Sequence, residues 1–451
     1  MAWRLLTDPD PLSRLSLFDE QDTDLVHWTV GGQRFFLSRS PAHVEHVFIA
    51  ANHKYRKSVH YRLLAAVTGE GLLTNEGEAW ARQRRLVQPA LAKRQLGELA
   101  PHMTAATTEF LARLEERSDG DTLEVAAAMS ELTLDVVGRA LFGATLVDAA
   151  PRLRPAVVVG LNTAVAGAQF QQLLAIPGWL IDRIGRLIFR LPVLPPPLGR
   201  VRNAMRTIDR VVHEVIDARA GNPDPGNDLL GLLLAARDEQ GQPMSRTQVR
   251  DEVVTLMLAG HETTANGLAW MWYLLARHPG ARERLYAEVD DLIDGRTPAA
   301  SDVDRLVWTA ACFQEAMRLY PPAWVLEREA VVDDELDGQR IPAGATIIFP
   351  VYIIHRDPRW WPNPEAFDPE RFLAEDVQRP RGAYLPFGAG RRICVGAGFA
   401  TMEAALITAM IARRFELDLA PGAKVVPQAT VTLRPRYGLP LVLRRRVRLS
   451  S

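Results

Sequence analysis

Of the two cysteines in the chain, Cys394 is the one whose neighbours could put a sulfur to chemical use. It stands in Phe387-Gly388-Ala389-Gly390-Arg391-Arg392-Ile393-Cys394-Val395-Gly396, just ahead of an apolar helical pattern that starts near Gly398 and contains Met402, Leu406 and Met410. A helix N-terminus offers unpaired N–H groups and the positive end of a dipole, which favour a thiolate over a thiol, and a thiolate is a strong metal ligand. Gly388, Gly390 and Gly396 let the backbone come close to a flat ligand. Taken alone, the loop also fits a structural cysteine buried in a glycine-rich turn. Cys312 has no basic or glycine-rich surroundings and reads as core packing. Two cysteines exclude a disulfide framework and a cysteine-only metal site.

A second constellation lies in the middle of the longest helical pattern. Ala259-Gly260-His261-Glu262-Thr263-Thr264 is a polar island between Leu256-Met257-Leu258 and Leu268-Ala269-Trp270. Buried polar groups of this kind are costly unless paired. The Thr263 and Thr264 hydroxyls can bond the carbonyls of Ala259 and Gly260, or admit water and bend the helix. A carboxyl group beside a hydroxyl is suited to moving protons. A helix kink with a solvated Glu262 fits the same residues, and His261 reads as a hydrogen-bonded structural histidine.

Charged residues at helical spacing complete the inventory. Glu315 and Arg318 share a helix face ahead of Tyr320-Pro321-Pro322, and Trp80 and Arg84 are one turn apart. By themselves such pairs are more often solvated surface features.

The elements that must position these residues are mostly helical, with Leu, Ala, Val and Arg recurring at three-to-four spacing over residues 76 to 320 and again after Cys394. Residues 246–277 form the longest helix, opened by Ser245-Arg246-Thr247-Gln248 as a capping box and closed by His278-Pro279. β-rich segments are expected near 26–37, 328–349 and 430–444, with Asp337-Gly338 as a two-residue hairpin turn. Breaks are expected at 191–197 and 221–227, and neither reads as a linker between domains, so 1–451 is expected to be one domain. With 451 residues, 47% of them hydrophobic, the chain can bury a large core. Its 53 basic and 54 acidic residues nearly cancel, which gives no global attraction to nucleic acid or anionic lipid. No signal peptide or membrane span is read at Met1 to Asp10 or beyond, and a cytoplasmic location is expected.

The cysteine loop, in the order Phe387, Gly390, Arg392, Cys394, Gly396, resembles the haem-binding loop of the cytochrome P450 family. The Glu262-Thr263 island, the Glu315/Arg318 pair and Phe367-Asp368-Pro369-Glu370-Arg371-Phe372 follow the family's order and approximate spacing. The resemblance covers nearly the whole chain from Gly71 onwards. It implies a mainly α fold with a minor β lobe, the haem lying between the long distal helix and the cysteine loop.

By the same resemblance, Cys394 is the axial ligand of the iron in haem b (iron protoporphyrin IX). Trp80, Arg84, Arg328 and Arg392 would hold the haem propionates, and Phe387, Gly388 and Gly396 would shape the loop. Ala259 and Gly260 border an oxygen pocket, while Glu262 and Thr263 deliver protons. Glu315, Arg318 and Arg371 form a buried structural triad, and Trp324 and Val325 run beside the haem in the substrate pocket.

The implied reaction is monooxygenation of a predominantly apolar substrate, terpenoid or fatty-acyl-like. The alternatives are a peroxide-using or isomerising haem-thiolate enzyme and a non-catalytic haem sensor. No dinucleotide fingerprint or flavin domain is read, and no cysteine cluster, so electrons are expected from a ferredoxin and ferredoxin reductase or equivalent donors. Arg391, Arg82, Arg85, Lys93 and Arg94 would give the donor a basic docking patch.

Overall fold

The computed structural model describes residues 12, 23–58, 60–142, 196–220, 228–374 and 379–446, with scattered positions between 152 and 163. The chain first reverses at Gly31-Gly32, both at positive φ (53° and 84°), in a turn whose twist suits the paired strands β1 (Leu25–Val30) and β2 (Gln33–Ser38). β3 (Tyr55–Arg56) follows, then α1 (Gly77–Val87), α2 (Lys93–Glu115), β4 (Thr122–Glu124) and α3 (Val125–Phe142). α4 (Pro196–Ala220) begins inside 191–197, where a break was expected. Its two prolines occupy the first turn, where a missing N–H and a fixed φ do not disturb a helix. The expected loop 221–227 lies outside the described residues, as does the stretch from Val165 to Leu191, whose Ile176, Trp179, Leu180, Ile184 and Phe189 make it apolar in sequence and which by position matches the family's variable lid.

α5 (Arg246–Arg277) has the limits its end signals predict. Ser245 Oγ accepts from Gln248 N at 3.2 Å and Gln248 Oε1 accepts from Ser245 N at 2.9 Å, a reciprocal cap contributing about 1 kcal/mol. At the other end Pro279 opens α6 (Pro279–Ile293). Met257, Trp270, Trp272 and Leu275 are buried on different sides of α5, as befits a central helix. α7 (Val307–Leu319) then leads into β5 (Leu326–Ala330), β6 (Asp334–Leu336), β7 (Gln339–Ile341) and β8 (Thr346–Phe349). Asp337 and Gly338 make the expected β6–β7 turn, both at positive φ. The chain ends through α8 (Ala397–Ala412), β9 (Phe415–Leu419), β10 (Pro427–Ala429), β11 (Leu433–Pro435) and β12 (Pro440–Arg445).

Packing joins distant parts of the chain. α3 lies along α5, and α2 bridges from α3 to α8, so the helix after the cysteine loop is built into the central bundle. One sheet has the order β1-β2-β8-β5-β3, with β2 parallel to β8 and Phe35 opposite Thr346. β5 and β8 thus share one sheet with the first strands. A smaller sheet places β12 between β4 and β9. β3, β4 and β9 were not foreseen, since two to five residues with distant partners leave no periodic signal. Among the described residues, no helix is long and apolar enough to cross a membrane.

Candidate active site

The cysteine loop is a folded unit. Cys394 N donates to Phe387 O at 2.9 Å, and Gly388 and Gly390 take positive φ (73° and 66°) to close the turn. A side chain at Gly390 would run into the Phe48 carbonyl, so the loop seats directly on the 46–50 turn. α8 begins at Ala397 with Gly396 as its N-cap. Cys394 is exposed, although protein atoms crowd around it. Burial raises its pKa, and the Gly396 N–H and the Arg84 charge oppose this without reversing it. A metal ion bound there would favour the thiolate.

A cavity of about 340 Å³ opens beside this loop, lined in part by Lys57, Glu76, Trp80, Arg328, Arg391 and Arg392. Arg392 lies 3.9 Å over the Trp80 ring and donates from Nη2 to Glu76 Oε2 (2.5 Å) and Asn75 O (2.9 Å). Its Nη1 is buried without a partner, and burial lowers its pKa to about 10. Arg328 is 8% exposed, lies 4.2 Å over Phe48 and donates to the carbonyl of Glu327. Lys57, which the sequence reading passed over, donates to Leu73 O. Burial, with Arg328 and Arg392 adding to it, holds its pKa well below the usual ammonium range. Arg56, Lys57, Arg328, Arg391 and Arg392 line the cavity against two carboxylates, Glu76 and Glu78, a donor set able to take further carboxylates.

Arg84 does not line this cavity. Its Nη1 donates to Ile393 O at 2.8 Å and its Nε to Gln88 Oε1 at 3.1 Å, so it braces the cysteine loop instead. The expected basic patch is also largely compensated: Arg82 pairs with Asp238 (2.7 Å), Arg85 with Glu239 (3.3 Å) and Lys93 with Asp304 (3.1 Å). These acids are distant in sequence and brought alongside by folding.

In α5, Ala259 is exposed and Gly260, Glu262 and Thr263 are partly so, although Met257, Leu258 and Leu268 around them are buried. The polar island thus fronts a recess. Thr263 Oγ1 donates to Ala259 O (2.6 Å) and Thr264 Oγ1 to Gly260 O (3.0 Å), and the helix continues through both residues. His261 faces α3, with Nε2 3.0 Å from Ser130 Oγ. Glu262 Oε1 accepts from Thr432 Oγ1 at 2.7 Å, a partner not foreseen. Glu403 of α8, also unforeseen, is fully buried beside Thr264, and burial pushes its carboxyl far up, towards the neutral acid. Trp324 and Val325 are partly exposed. The Trp324 indole is anchored on Thr430 O at 2.9 Å, and the residue packs against the buried Val26/Leu37 cluster.

Glu315 and Arg318 are wholly buried and bidentate, at 2.6 and 2.8 Å. Arg371 joins them at 3.4 Å from Glu315 Oε1, beyond hydrogen-bond geometry, and its Nε is unsatisfied. The remaining Arg318 donors go to the carbonyls of His355, Pro364 and Ala366.

A central helix with a polar island, a lone accessible cysteine in a glycine-closed loop and a cavity of buried cations are features of a haem-thiolate protein. The family model for cytochrome P450 matches residues 7–439, and the chain belongs to that family. It is a cytochrome P450 monooxygenase, and the family's cofactor is haem held by a cysteine thiolate. The putative cytochrome P450 132 of Mycobacterium tuberculosis is 41% identical over 424 residues, 94% of this chain and 91% of that protein. The cyclooctat-9-en-7-ol 5-monooxygenase of Streptomyces melanosporofaciens is 33% identical over 402 residues, 88% of this chain and 83% of that one. The crystal structure of the cytochrome P450DA heme domain superposes with a TM-score of 0.85 at 26% identity, covering 98% of this chain and 95% of that one.

Proposed function

We propose that the chain, working as one domain in the cytoplasm, binds haem b through Cys394 and hydroxylates an apolar small molecule with electrons from a separate ferredoxin and its reductase. The overall balance is substrate, O2, two electrons and two protons giving hydroxylated product and water. The bound group supplies the centre at which dioxygen is reduced.

The chain's own residues do the rest. Cys394 Sγ is the ligand, and the Phe387, Gly388 and Gly396 backbone shapes the loop around it, with the Gly396 N–H favouring the charged sulfur. Arg392, whose Nη1 is free to donate, Arg328, Lys57 and Trp80 hold the propionates. Arg84 keeps the loop in register from its bond to Ile393 O. Ala259 and Gly260 leave space for dioxygen, the Thr263 hydroxyl holds water there, and the Glu262 carboxylate passes protons inward from its Oε2. Trp324 and Val325 make an apolar wall, which offers nothing to offset a buried charge on the substrate. The Streptomyces melanosporofaciens relative is named for its action on cyclooctat-9-en-7-ol, a ring alkenol, which supports a terpenoid-like compound here. The electron donor docks on the cysteine side near Arg391.

The observation that carries this reading is one accessible cysteine in the same loop as Arg392, whose buried Nη1 lacks a partner and which lines a cavity with more basic than acidic side chains. Cys394→Ser tests it. The reduced, carbon monoxide-treated wild type should show the red-shifted Soret band of a thiolate-ligated haem, and the variant should lack it. A variant that keeps the band refutes Cys394 as the ligand.

A further inference from the structure

The acid on α5 is held from outside its own helix. Thr432, in the turn between β10 and β11, is 5% exposed and donates to Glu262 Oε1. Its oxygen accepts from Asn266 Nδ2 at 3.1 Å, and Asn266, also buried, lies one turn beyond Glu262 on the same face of α5. The polarity of this relay is forced. A carboxylate can only accept, so the single hydroxyl proton of Thr432 goes to Glu262, and Asn266 must turn its NH2 rather than its carbonyl towards Thr432.

The turn itself is pinned on several sides. Leu433 N donates to Pro322 O (3.0 Å), Trp270 Nε1 to Leu433 O (3.0 Å), Trp324 Nε1 to Thr430 O (2.9 Å) and Thr430 Oγ1 to Thr432 O (2.9 Å). Between these anchors Val431 keeps an apolar, exposed side chain. One short turn therefore touches both the acid and the segment carrying Trp324.

We propose that Thr432 is a positioning residue for Glu262, fixing Oε1 so that Oε2 alone takes up and releases protons. This rests on the reading of Glu262 as the proton-delivering acid. Thr432 keeps its own proton throughout. When protons arrive late, dioxygen that has gained two electrons and two protons departs as hydrogen peroxide instead of being carried on to water and product.

The holoenzyme is assayed with a ferredoxin and ferredoxin reductase, both without organic substrate and with cyclooctat-9-en-7-ol as probe, counting reductant, O2 and peroxide. Thr432→Val should keep the haem content and the carbon monoxide spectrum. Its peroxide-to-water ratio should rise about tenfold, the equivalent of one hydrogen bond to a charged group, and the solvent deuterium isotope effect on reductant use should grow. Thr432→Ser, which restores the hydroxyl, should return both readouts towards wild type. The double variant Glu262→Gln/Thr432→Val should be no worse than Glu262→Gln alone, since both act through one carboxylate.

If Glu262→Gln leaves the ratio unchanged, the acid assignment itself fails, and Thr432 with it. If Glu262→Gln raises the ratio while Thr432→Val leaves ratio and isotope effect at wild type, or if the two effects add fully, only the role of Thr432 is overturned. Should Thr432→Val lose haem, Asn266→Ser, which removes the amide that orients the hydroxyl, carries the same test with a smaller expected rise. A wild-type ratio there is again a refutation.

Discussion

Glu315→Gln is the substitution whose cost the structure defines best. Neither Glu315 nor Arg318 has any exposed side-chain surface, and Glu315 Oε1 also accepts from Asp368 N at 2.9 Å while lying 3.4 Å from Arg371 Nε. Glutamine preserves the volume, but it sets an amide NH2 against a guanidinium and leaves two buried cations without their anion. Breaking a buried pair in this way costs roughly 3–5 kcal/mol, a large part of the ~5–15 kcal/mol that holds a typical domain folded. The damage should also travel. Arg318 donates to His355 O, and His355 Nε2 accepts from Leu385 N at 2.7 Å, two residues before Phe387. Burial, with the neighbouring Arg318 and Arg356, lowers the His355 pKa to about 3, so it stays a neutral acceptor. Urea unfolding followed by far-ultraviolet circular dichroism and by the Soret band should show both the loss of stability and early release of haem. A transition within about 0.5 kcal/mol of wild type, with full haem content, would refute the argument.

Two further outcomes are expected. Burial raises the Glu252 pKa to about 7, against an ordinary 4.5, while Leu72 N donates to its Oε2 at 3.0 Å. With the folded value above the unfolded one, its contribution is fully present below pH 4.5 and is lost as pH rises through 7, a span worth about 3 kcal/mol. Glu252→Gln should flatten the fall in stability between pH 5 and 8, and parallel curves for variant and wild type would sink the assignment. Trp324→Phe removes the indole bond to Thr430 O while keeping the bulk, and should weaken spectral binding of an apolar probe that binds the wild type about fivefold with an unaltered carbon monoxide spectrum. Unchanged binding and products would show that Trp324 serves packing alone.

What could be read in advance depended on whether the signal was local. The limits of α5 follow from a cap and a proline within a few residues of its ends, and the Gly31-Gly32 and Asp337-Gly338 turns need only their own backbone angles. The cysteine loop and the Glu315/Arg318 pair are short motifs and were legible for that reason. Lys57 was not, because its environment is made by Arg328 and Arg392, hundreds of residues away. Thr432 meets Glu262 across a similar distance and has no pattern of its own. Arg82, Arg85 and Lys93 looked like a free basic face because their acidic partners lie elsewhere in the chain. Glu403 did leave a trace: it is the lone carboxylate in the apolar helix Ala397–Ala412, and a charge so placed must be buried and neutral or paired.

The parallel pairing of β2 with β8 bears on how the protein is made. Phe35, Phe36 and Leu37 leave the ribosome about 310 residues before Thr346, Ile347 and Ile348, the residues beside which they end up. At about 5–20 residues per second the first hairpin waits some ~15–60 s with an apolar strand edge uncovered, an interval in which strands of this kind pair with other chains. The cysteine loop emerges later still and must seat on the 46–50 turn, so cofactor capture follows the pairing of β2 with β8. Yield in a heterologous host should accordingly respond to slower translation, lower temperature and chaperone supply as much as to haem supply.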